Sequence, residues 1–201
     1  MLDFLESKIY LGCSPKLKLW TPTIMEHRSE DMSEVIDLEN DLSDEEKEMG
    51  SFNHSLTQSN LTSLLHNDER FTTLVELSLD ASQIELSQFG LKVKEELKPD
   101  VCVYTNQPDD LVKTTLMPDM AIEILSPSQT VSELIGKLKA YFALSVKSCW
   151  LVIPAIESIT IFSHPKRYKT FGTDATEIID EVMDIHLPIQ KVFRRRSNRP
   201  K

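Results

Sequence analysis

The amino-acid sequence predicts an α/β fold with a mixed central sheet flanked by helices. Segments with helical periodicity and apolar segments rich in β-branched residues follow one another in the order helix, three or more strands, helix, strand. That order favours a sheet with both parallel and antiparallel neighbours, packed against helices. The length of 201 residues suits one such domain with additional segments.

The first predicted helix and the first predicted strand are neighbours in the sequence. HSLTQSNLTSLL carries leucines at positions 56, 61, 64 and 65, which form a broad apolar side of a helix. In FTTLVELSLD every second residue would lie on the same face of an extended chain, and the pattern predicts a strand. The residues expected on one face of that strand are Phe71, Thr73, Val75, Leu77 and Leu79.

Three more strands are predicted before the second helix. IELSQF predicts a weaker strand, and VCVYT and MAIEIL predict two strong ones. The connection NQPDDLVKTTLMPD is polar and contains Pro108, as expected of a loop.

The second predicted helix, SELIGKLKAYF, has a defined start. Thr130 is its N-cap and Glu133 follows three residues later, which is the pattern of a capping box. After this helix, SCWLVIP predicts a buried strand, and SITIFS and RYKTFG predict the outer strands of a meander. LPIQKVF predicts a short closing helix.

The charge of the chain is distributed unevenly. A net charge of -10 argues, by itself, against nucleic-acid binding. Residues 26–48, however, hold eleven acids against two bases, a segment charge of -9, so the rest of the chain carries only -1. We therefore predict an acidic, flexible extension over 1–43, a folded domain over 44–193 and a basic tail over 194–201.

Composition makes several classes of protein improbable. No apolar run approaches the roughly 18 residues that span a bilayer. The start, MLDFLESKIY, carries Asp3 and Glu6 and lacks the basic region of a signal peptide. Cys13, Cys102 and Cys149 are widely spaced, so neither a disulfide framework nor a thiolate zinc site is indicated. We expect a cytoplasmic protein that does not associate with membranes.

Two carboxylates on different predicted strands form the candidate site. Asp100 begins VCVYT and Glu123 lies within MAIEIL, so pairing of the two strands would bring the carboxylates within several Å. Asp119 shares the predicted strand of Glu123, and four residues of strand span about 13 Å, too far for one metal ion to bridge. Asp100 is therefore favoured, and Asp119 is expected to be peripheral.

Strand alternation supports a role for Glu123. Met120, Ile122 and Ile124 share one face, and Glu123 shares the other with Ala121. The alternative is an edge strand on which Glu123 faces water. Two carboxylates about 4 Å apart repel by roughly 1–4 kcal/mol, which a divalent cation would offset. Mg²⁺ suits such a site because it takes one or two protein carboxylates, and Mn²⁺ is an alternative.

A resemblance to a known family rests on four segments. KPDVCVY, MAIEILSPSQ, GKLKAYF and SVKSCWLVIP together resemble the PD-(D/E)xK nuclease superfamily, and specifically the bacterial Uma-two family of restriction-type endonucleases. The resemblance spans most of residues 49–193. It implies a restriction-endonuclease-like core of order αβββαβ and divalent-metal hydrolysis of phosphodiester bonds.

The resemblance also assigns roles to residues. The first Asp of the superfamily motif matches Asp100, and its D/E position matches Glu123. Leu125 stands where the superfamily has the lysine of ExK. In the resembling family that lysine is carried by the following helix and matches Lys137, with Lys139 as the reserve candidate.

Three further residues are candidate supporting residues. A histidine is frequent on the first helix of the family, and His54 matches it, one helical turn from Gln58. A cap or surface role is the alternative for His54. Glu76 interrupts an otherwise apolar and hydroxyl-bearing strand, and Tyr141 neighbours Lys137 on the helical wheel.

The sequence therefore predicts a Mg²⁺-dependent endonuclease acting on DNA. Asp100 and Glu123 would hold the metal, and Lys137 would assist the attacking water. A nuclease-like fold that no longer cuts, and serves as a nucleic-acid-binding or assembly protein, is the first alternative. A nuclease for RNA or branched DNA is the second. A homodimer is expected by analogy with superfamily nucleases that cut both strands.

Overall fold

The computed structural model describes residues 51–93, 95–106 and 114–194. The acidic extension predicted over 1–43 lies outside these residues, as does all but the first residue of the predicted basic tail. The division of the chain into three parts therefore stays a prediction.

The described residues form a mixed α/β structure. A six-stranded sheet has the order β1-β4-β5-β6-β7-β8, and two short ladders, β2-β3 and β9-β10, lie outside it. The elements are α1 (Phe52–His66), β1 (Thr72–Val75), β2 (Leu79–Asp80), a 3₁₀ helix (Leu86–Phe89), β3 (Glu96–Leu97), β4 (Val101–Tyr104), β5 (Met120–Ile124), α2 (Val131–Ala143), β6 (Ser148–Ile153), a 3₁₀ helix (Pro154–Ile156), β7 (Ser158–His164), β8 (Arg167–Phe171), β9 (Glu177–Asp180), β10 (Ile185–Pro188) and α3 (Ile189–Phe193).

The predicted fold class is confirmed. β5 and β6 pair in parallel, whereas the other neighbours in the six-stranded sheet are antiparallel. The parallel pair is joined by α2, because two parallel strands need a crossover connection. Read along the chain, α1, β1, β4, β5, α2 and β6 give the order αβββαβ.

The central strands of the sheet are buried on both faces. Met120, Ile122 and Ile124 of β5 pack in one apolar cluster with Leu61 and Leu65 of α1. The alternate residues of the same strand face a second cluster, which contains Ala121 of β5 with Leu134, Leu138 and Tyr141 of α2. β5 is therefore a central strand with all five residues buried.

The start of α2 follows from its sequence. The hydroxyl of Thr130 accepts a hydrogen bond from the amide of Glu133 at 3.2 Å, as the capping box predicts. Gly136 lies where the helix passes the first 3₁₀ segment, and a Cβ at this position would lie 2.6 Å from the carbonyl oxygen of Phe89. Only glycine permits this close approach.

Two local predictions are wrong. β1 ends at Val75 because Glu76 adopts a left-handed conformation with φ of 51°, so the strand predicted through Leu79 is split between two ladders. IELSQF is not a strand, since Leu86–Phe89 forms a 3₁₀ helix that ends at the left-handed Gly90. The β9-β10 hairpin is present although no strand was predicted there.

None of the described helices has the length and hydrophobicity required to cross a bilayer.

One buried carboxylate bonds the hairpin to the sheet, in addition to the apolar contacts of Ile178, Met183 and Ile185. Asp180 is 1% exposed, and its Oδ2 accepts hydrogen bonds from Ser148 Oγ at 2.5 Å and Trp150 Nε1 at 2.7 Å. Its Oδ1 accepts from the amides of Val182 and Met183. The two carboxyl oxygens thus accept hydrogen bonds from β6 and from the hairpin turn, as a buried polar group requires.

Replacing Trp150 with Phe should destabilise the protein. The substitution removes a buried donor to Asp180 and also leaves a cavity where the larger indole was, so the free energy of unfolding should fall by at least about 1.5–3 kcal/mol in urea titrations. Tyr168→Phe is the control. Tyr168 is 66% exposed, so this substitution should lower the free energy of unfolding by less than about 0.5 kcal/mol. Equal costs for the two variants would contradict this account of Asp180.

Candidate active site

The pairing of β4 with β5 brings the two predicted carboxylates together. Val101 pairs with Ile122, so continuing the register by one residue sets Asp100 opposite Glu123. Opposite residues of an antiparallel pair project from the same face of the sheet. β5 lies between β4 and β6, and Glu123 has no exposed surface, so the edge-strand alternative is wrong.

Glu123 is bonded to two side chains from α2. Lys137 Nζ lies 3.0 Å from Oε2, and the hydroxyl of Tyr141 donates to Oε1 at 2.6 Å. The two donors are four residues apart and so share one face of the helix. The Lys137 side chain keeps 20% of its surface exposed, whereas Glu123 is fully buried beneath it.

Burial controls the protonation of this pair. Loss of solvation raises the pKa of Glu123 to about 7, and the nearby charge of Asp100 adds to the rise. The Lys137 ammonium and the Tyr141 hydroxyl favour the ionised form and limit the shift. Burial is the largest single influence on the pKa of Lys137 and acts to lower it. The carboxylates of Glu123, Asp100 and Glu133 together outweigh burial, so the net shift of the pKa is upward and Lys137 stays charged.

Asp100 accepts hydrogen bonds from α1, from β5 and from residue 76, which follows β1. His54 Nε2 lies 3.2 Å from Oδ1, and the amide of Ile124 donates to Oδ2 at 2.6 Å. The main-chain carbonyl of Asp100 accepts from Gln58 Nε2 at 2.9 Å and from the amide of Glu76 at 3.3 Å. The hydrogen bond to Asp100 raises the pKa of His54, and the charge of Asp100 adds to this against the effect of burial.

Asp100 and Lys137 open into a cleft of about 640 Å³. Its wall is polar, and three acids there outnumber two lysines. The lining residues are His54, Ser55, Gln58, Glu76, Lys98, Asp100, Ser126, Ser128, Gln129, Glu133 and Lys137.

The structure joins most of the predicted site residues in one network. Asp100 with His54, and Glu123 with Lys137 and Tyr141, lie on adjacent strands and the helices that pack against them. These five residues are thus placed together, whatever their roles.

The remaining candidates lie elsewhere or play other parts. Glu76 is in the cleft wall with 58% of its side chain exposed, and it pairs with Lys98 at 3.8 Å. Asp119 is bonded to Lys147 at 2.6 Å and to the hydroxyl of Thr105 at 2.7 Å, outside the cleft lining. Lys139 is exposed on α2 and does not line the cleft.

Several lining residues were missed from the sequence. Ser126 and Ser128 flank Pro127 in the turn that joins β5 to α2, so their place near Glu123 could have been read from the order of elements. Gln129 Oε1 accepts from the amide of Ser126 at 3.3 Å and fixes this turn. Lys98 gave no periodic signal, since it lies in the irregular segment ahead of Asp100.

The chemistry of the two acids fits a hard divalent cation. Within the described residues no group of three or more His, Cys, Asp or Glu side chains converges as a metal site. Asp100 and Glu123 nevertheless supply carboxylate oxygens on adjacent strands, and Mg²⁺ typically takes only one or two protein carboxylates with water completing the shell. Burial is the main cause of the raised pKa of Glu123, and the charge of Asp100 adds to it; a cation between the two carboxylates would offset that repulsion.

Comparison with known proteins identifies similar sequences and folds. Residues 37–190 match the model of the family Uma2, described as "Putative restriction endonuclease". Among solved structures, the chain is similar to the crystal structure of "a putative nuclease belonging to DUF820" from Anabaena variabilis ATCC 29413. The identity is 21%, the TM-score is 0.57, and the match covers 72% of this chain and 82% of that one. At this identity the similarity shows the fold. No curated protein matches the chain.

Tyr141→Phe should destabilise the protein more in alkaline than in acidic solution. The variant leaves a buried acceptor without its donor, which costs about 1–3 kcal/mol. Since the pKa of Glu123 is about 7, the lost bond is to a carboxylate above that pH and to a neutral acid below it. Urea titrations at about pH 8.5 and about pH 5.5 measure the difference.

Tyr104→Phe is the matched control for this variant. Tyr104 is also buried, and its hydroxyl donates to the carbonyl of Leu116 at 2.9 Å, a group that does not titrate. Its cost should therefore be equal at the two pH values. The same pH dependence in both variants would count against ionisation of Glu123 near neutrality.

Proposed function

Because this chain belongs to the Uma2 family of restriction-endonuclease-type proteins, we propose that it is a metal-dependent endonuclease that hydrolyses phosphodiester bonds in DNA. The observation that carries the proposal is the buried Glu123 carboxylate, bonded to Lys137 and opposite Asp100 at the wall of an open cleft. A protein that only needed stability could fill a central strand with apolar residues at lower cost.

Asp100 and Glu123 are the proposed metal ligands. Mg²⁺ is the proposed ion, with Mn²⁺ as a substitute, because both ligands are carboxylates. When bound, such an ion polarises a phosphoryl oxygen and lowers the pKa of a coordinated water. His54 and the amide of Ile124 hold the two oxygens of Asp100, so this ligand is oriented before substrate arrives.

Lys137 is proposed to act on the substrate from the cleft wall next to Glu123. Its ammonium is paired with Glu123, yet the side chain lines the cleft and is partly exposed. A cation in this position can contact a phosphate oxygen, offset its negative charge and orient the attacking water. Tyr141 does not line the cleft and is proposed to hold Glu123 in place.

DNA is the proposed substrate, and its phosphates explain the need for a cation. The cleft wall holds three acids, two lysines and His54, so the wall alone has no excess of positive charge with which to attract a polyanion. A bound divalent ion would reverse that balance at the reacting phosphate. A homodimer belongs to the same proposal, since two copies could cut the two strands of a duplex. A cytoplasmic location is also part of it.

Substitution of either proposed ligand or of Lys137 should strongly reduce the rate of cleavage. Asp100→Asn, Glu123→Gln and Lys137→Met should each lower the rate of plasmid nicking by roughly 10²–10³-fold or more. The assay compares Mg²⁺, Mn²⁺ and EDTA on plasmid, single-stranded DNA and RNA, and cutting should require a metal.

Asp119→Asn is the matched control for these variants. Asp119 also follows a proline at the start of a strand, but it bonds to Lys147 and Thr105 outside the cleft. Its variant should cut at close to the wild-type rate. If the wild type and Glu123→Gln are equally inactive on every substrate, and Mg²⁺ does not shift the melting temperature, the chain is a binding or assembly protein instead.

Cleavage should be lost as the pH falls through about 7. The pKa of Glu123 lies near 7 in the folded protein, and protonation removes the charge with which this ligand attracts a cation. The rate should therefore fall about tenfold per unit below that pH. Higher Mg²⁺ should move the midpoint to lower pH, because a cation favours the ionised carboxylate.

The pH profile of Tyr141→Phe tests this assignment. Without its hydroxyl donor the pKa of Glu123 rises further, so the midpoint should move to higher pH. Asp119→Asn should leave the midpoint unchanged. A profile that is flat between pH values of about 5 and 8 would rule out Glu123 as the titrating group.

A further inference from the structure

We propose that Lys98 forms a second phosphate contact in the cleft and that Glu76 limits substrate affinity by pairing with it. The inference rests on the proposed function and deepens it, because it assigns substrate binding to a second pair of side chains in the same cleft. Lys98 Nζ lies 3.8 Å from Glu76 Oε2, and both side chains line the cleft.

Lys98 is well placed to bind a phosphate next to the one being cleaved. It lies in the short segment between β3 and β4, two residues before Asp100, so its main chain is fixed relative to the proposed metal ligand. Lys98 and Lys137 are the two lysines of the cleft lining within the described residues. Contacts to flanking phosphates fix the register of a nucleic acid, and lysine supplies them as a point charge.

Glu76 is fixed in the same wall through its main chain. Its amide donates to the carbonyl of Asp100 at 3.3 Å, so residue 76 and the proposed ligand are positioned together. Its φ of 51° is in the left-handed region, where glycine is the residue that fits without strain. A glutamate at this position instead directs a carboxylate toward the region that phosphates would occupy.

The pair is suited to exchange partners. More than half of each side chain is exposed, at 54% for Lys98 and 58% for Glu76, and a surface pair at this separation is weak. A DNA phosphate can therefore take the place of the Glu76 carboxylate on Lys98. Release of the product would be helped by the return of Glu76, so the pair sets affinity without entering the reaction.

Binding of a short fluorescein-labelled DNA duplex tests the proposal. Anisotropy titrations with Ca²⁺ at several NaCl concentrations give the Kd and its salt dependence, and a denaturing gel verifies that the duplex stays intact. Lys98→Met should weaken binding by about tenfold and reduce the slope of log K against log salt by about one. Glu76→Gln should tighten binding by about three- to tenfold at low salt.

Each variant has a control of the same chemistry. Lys166→Met removes an exposed lysine that does not line the cleft. Glu157→Gln removes a carboxylate from a residue with φ of 48°, and Glu157 does not line the cleft either. Both controls should leave the Kd within about twofold of wild type. Thermal melting verifies that all variants fold.

The double variant separates pairing from general repulsion. If Glu76 acts through Lys98, the tightening caused by Glu76→Gln should shrink by more than half in the Lys98→Met background. Additive effects would overturn the pairing. A Lys98→Met variant that behaves like Lys166→Met would overturn the phosphate contact, while cleavage by the wild type would leave the proposed function standing. A wild type that neither binds nor cuts DNA would overturn both.

Discussion

The burial of a single carboxylate, Glu123, is the constraint on which the rest of the site depends. Removing an ion from water costs several kcal/mol, and two charge-assisted hydrogen bonds offset part of that cost. Lys137 and Tyr141 provide them from one face of α2, so the helix must lie across β5 in a fixed rotation. The close approach at Gly136 has the same consequence, because it seats the helix next to the 3₁₀ segment. Orientation of the lysine is thereby set by packing as well as by charge.

The parallel β5-α2-β6 crossover gives this arrangement its geometry. A parallel pair requires a long connection, and the helix that forms it begins only seven residues after β5 ends. The turn between them must therefore remain at the end of the strand, beside Glu123, and its serines become part of the cleft wall. The antiparallel β4 then brings Asp100 to the same end of the sheet. Strand order and strand direction together assemble the cleft from segments that are distant in the sequence.

Much of this architecture could be predicted from the sequence, and the failures have a common cause. The face of Glu123, the start of α2 and the neighbouring positions of Lys137 and Tyr141 follow from periodicity and capping, which are local and strong. The end of β1 could not be predicted in this way, because the residue that takes the left-handed conformation there is a glutamate and not the glycine that usually marks such a turn. The turn of the β9-β10 hairpin likewise uses Asp184 with φ of 52°. Lys98 is only two residues from Asp100, but it lies outside any strand or helix, so no periodic pattern indicated that its side chain lines the cleft.

The positions of the cleft-lining residues divide the described chain into two parts that should differ in their tolerance of substitutions and insertions. Every lining residue lies between His54 and Lys137, whereas β6 to β10 and α3 contribute none within the described residues. The later strands support β5 through its pairing with β6, and they are stabilised by the hydrogen bonds of Asp180 to Ser148 and Trp150. Insertions at the β7-β8 turn, or a new outer strand on β8, would thus leave the chemistry untouched. Sequence divergence and engineered fusions should be tolerated on that side of the sheet and not on the other.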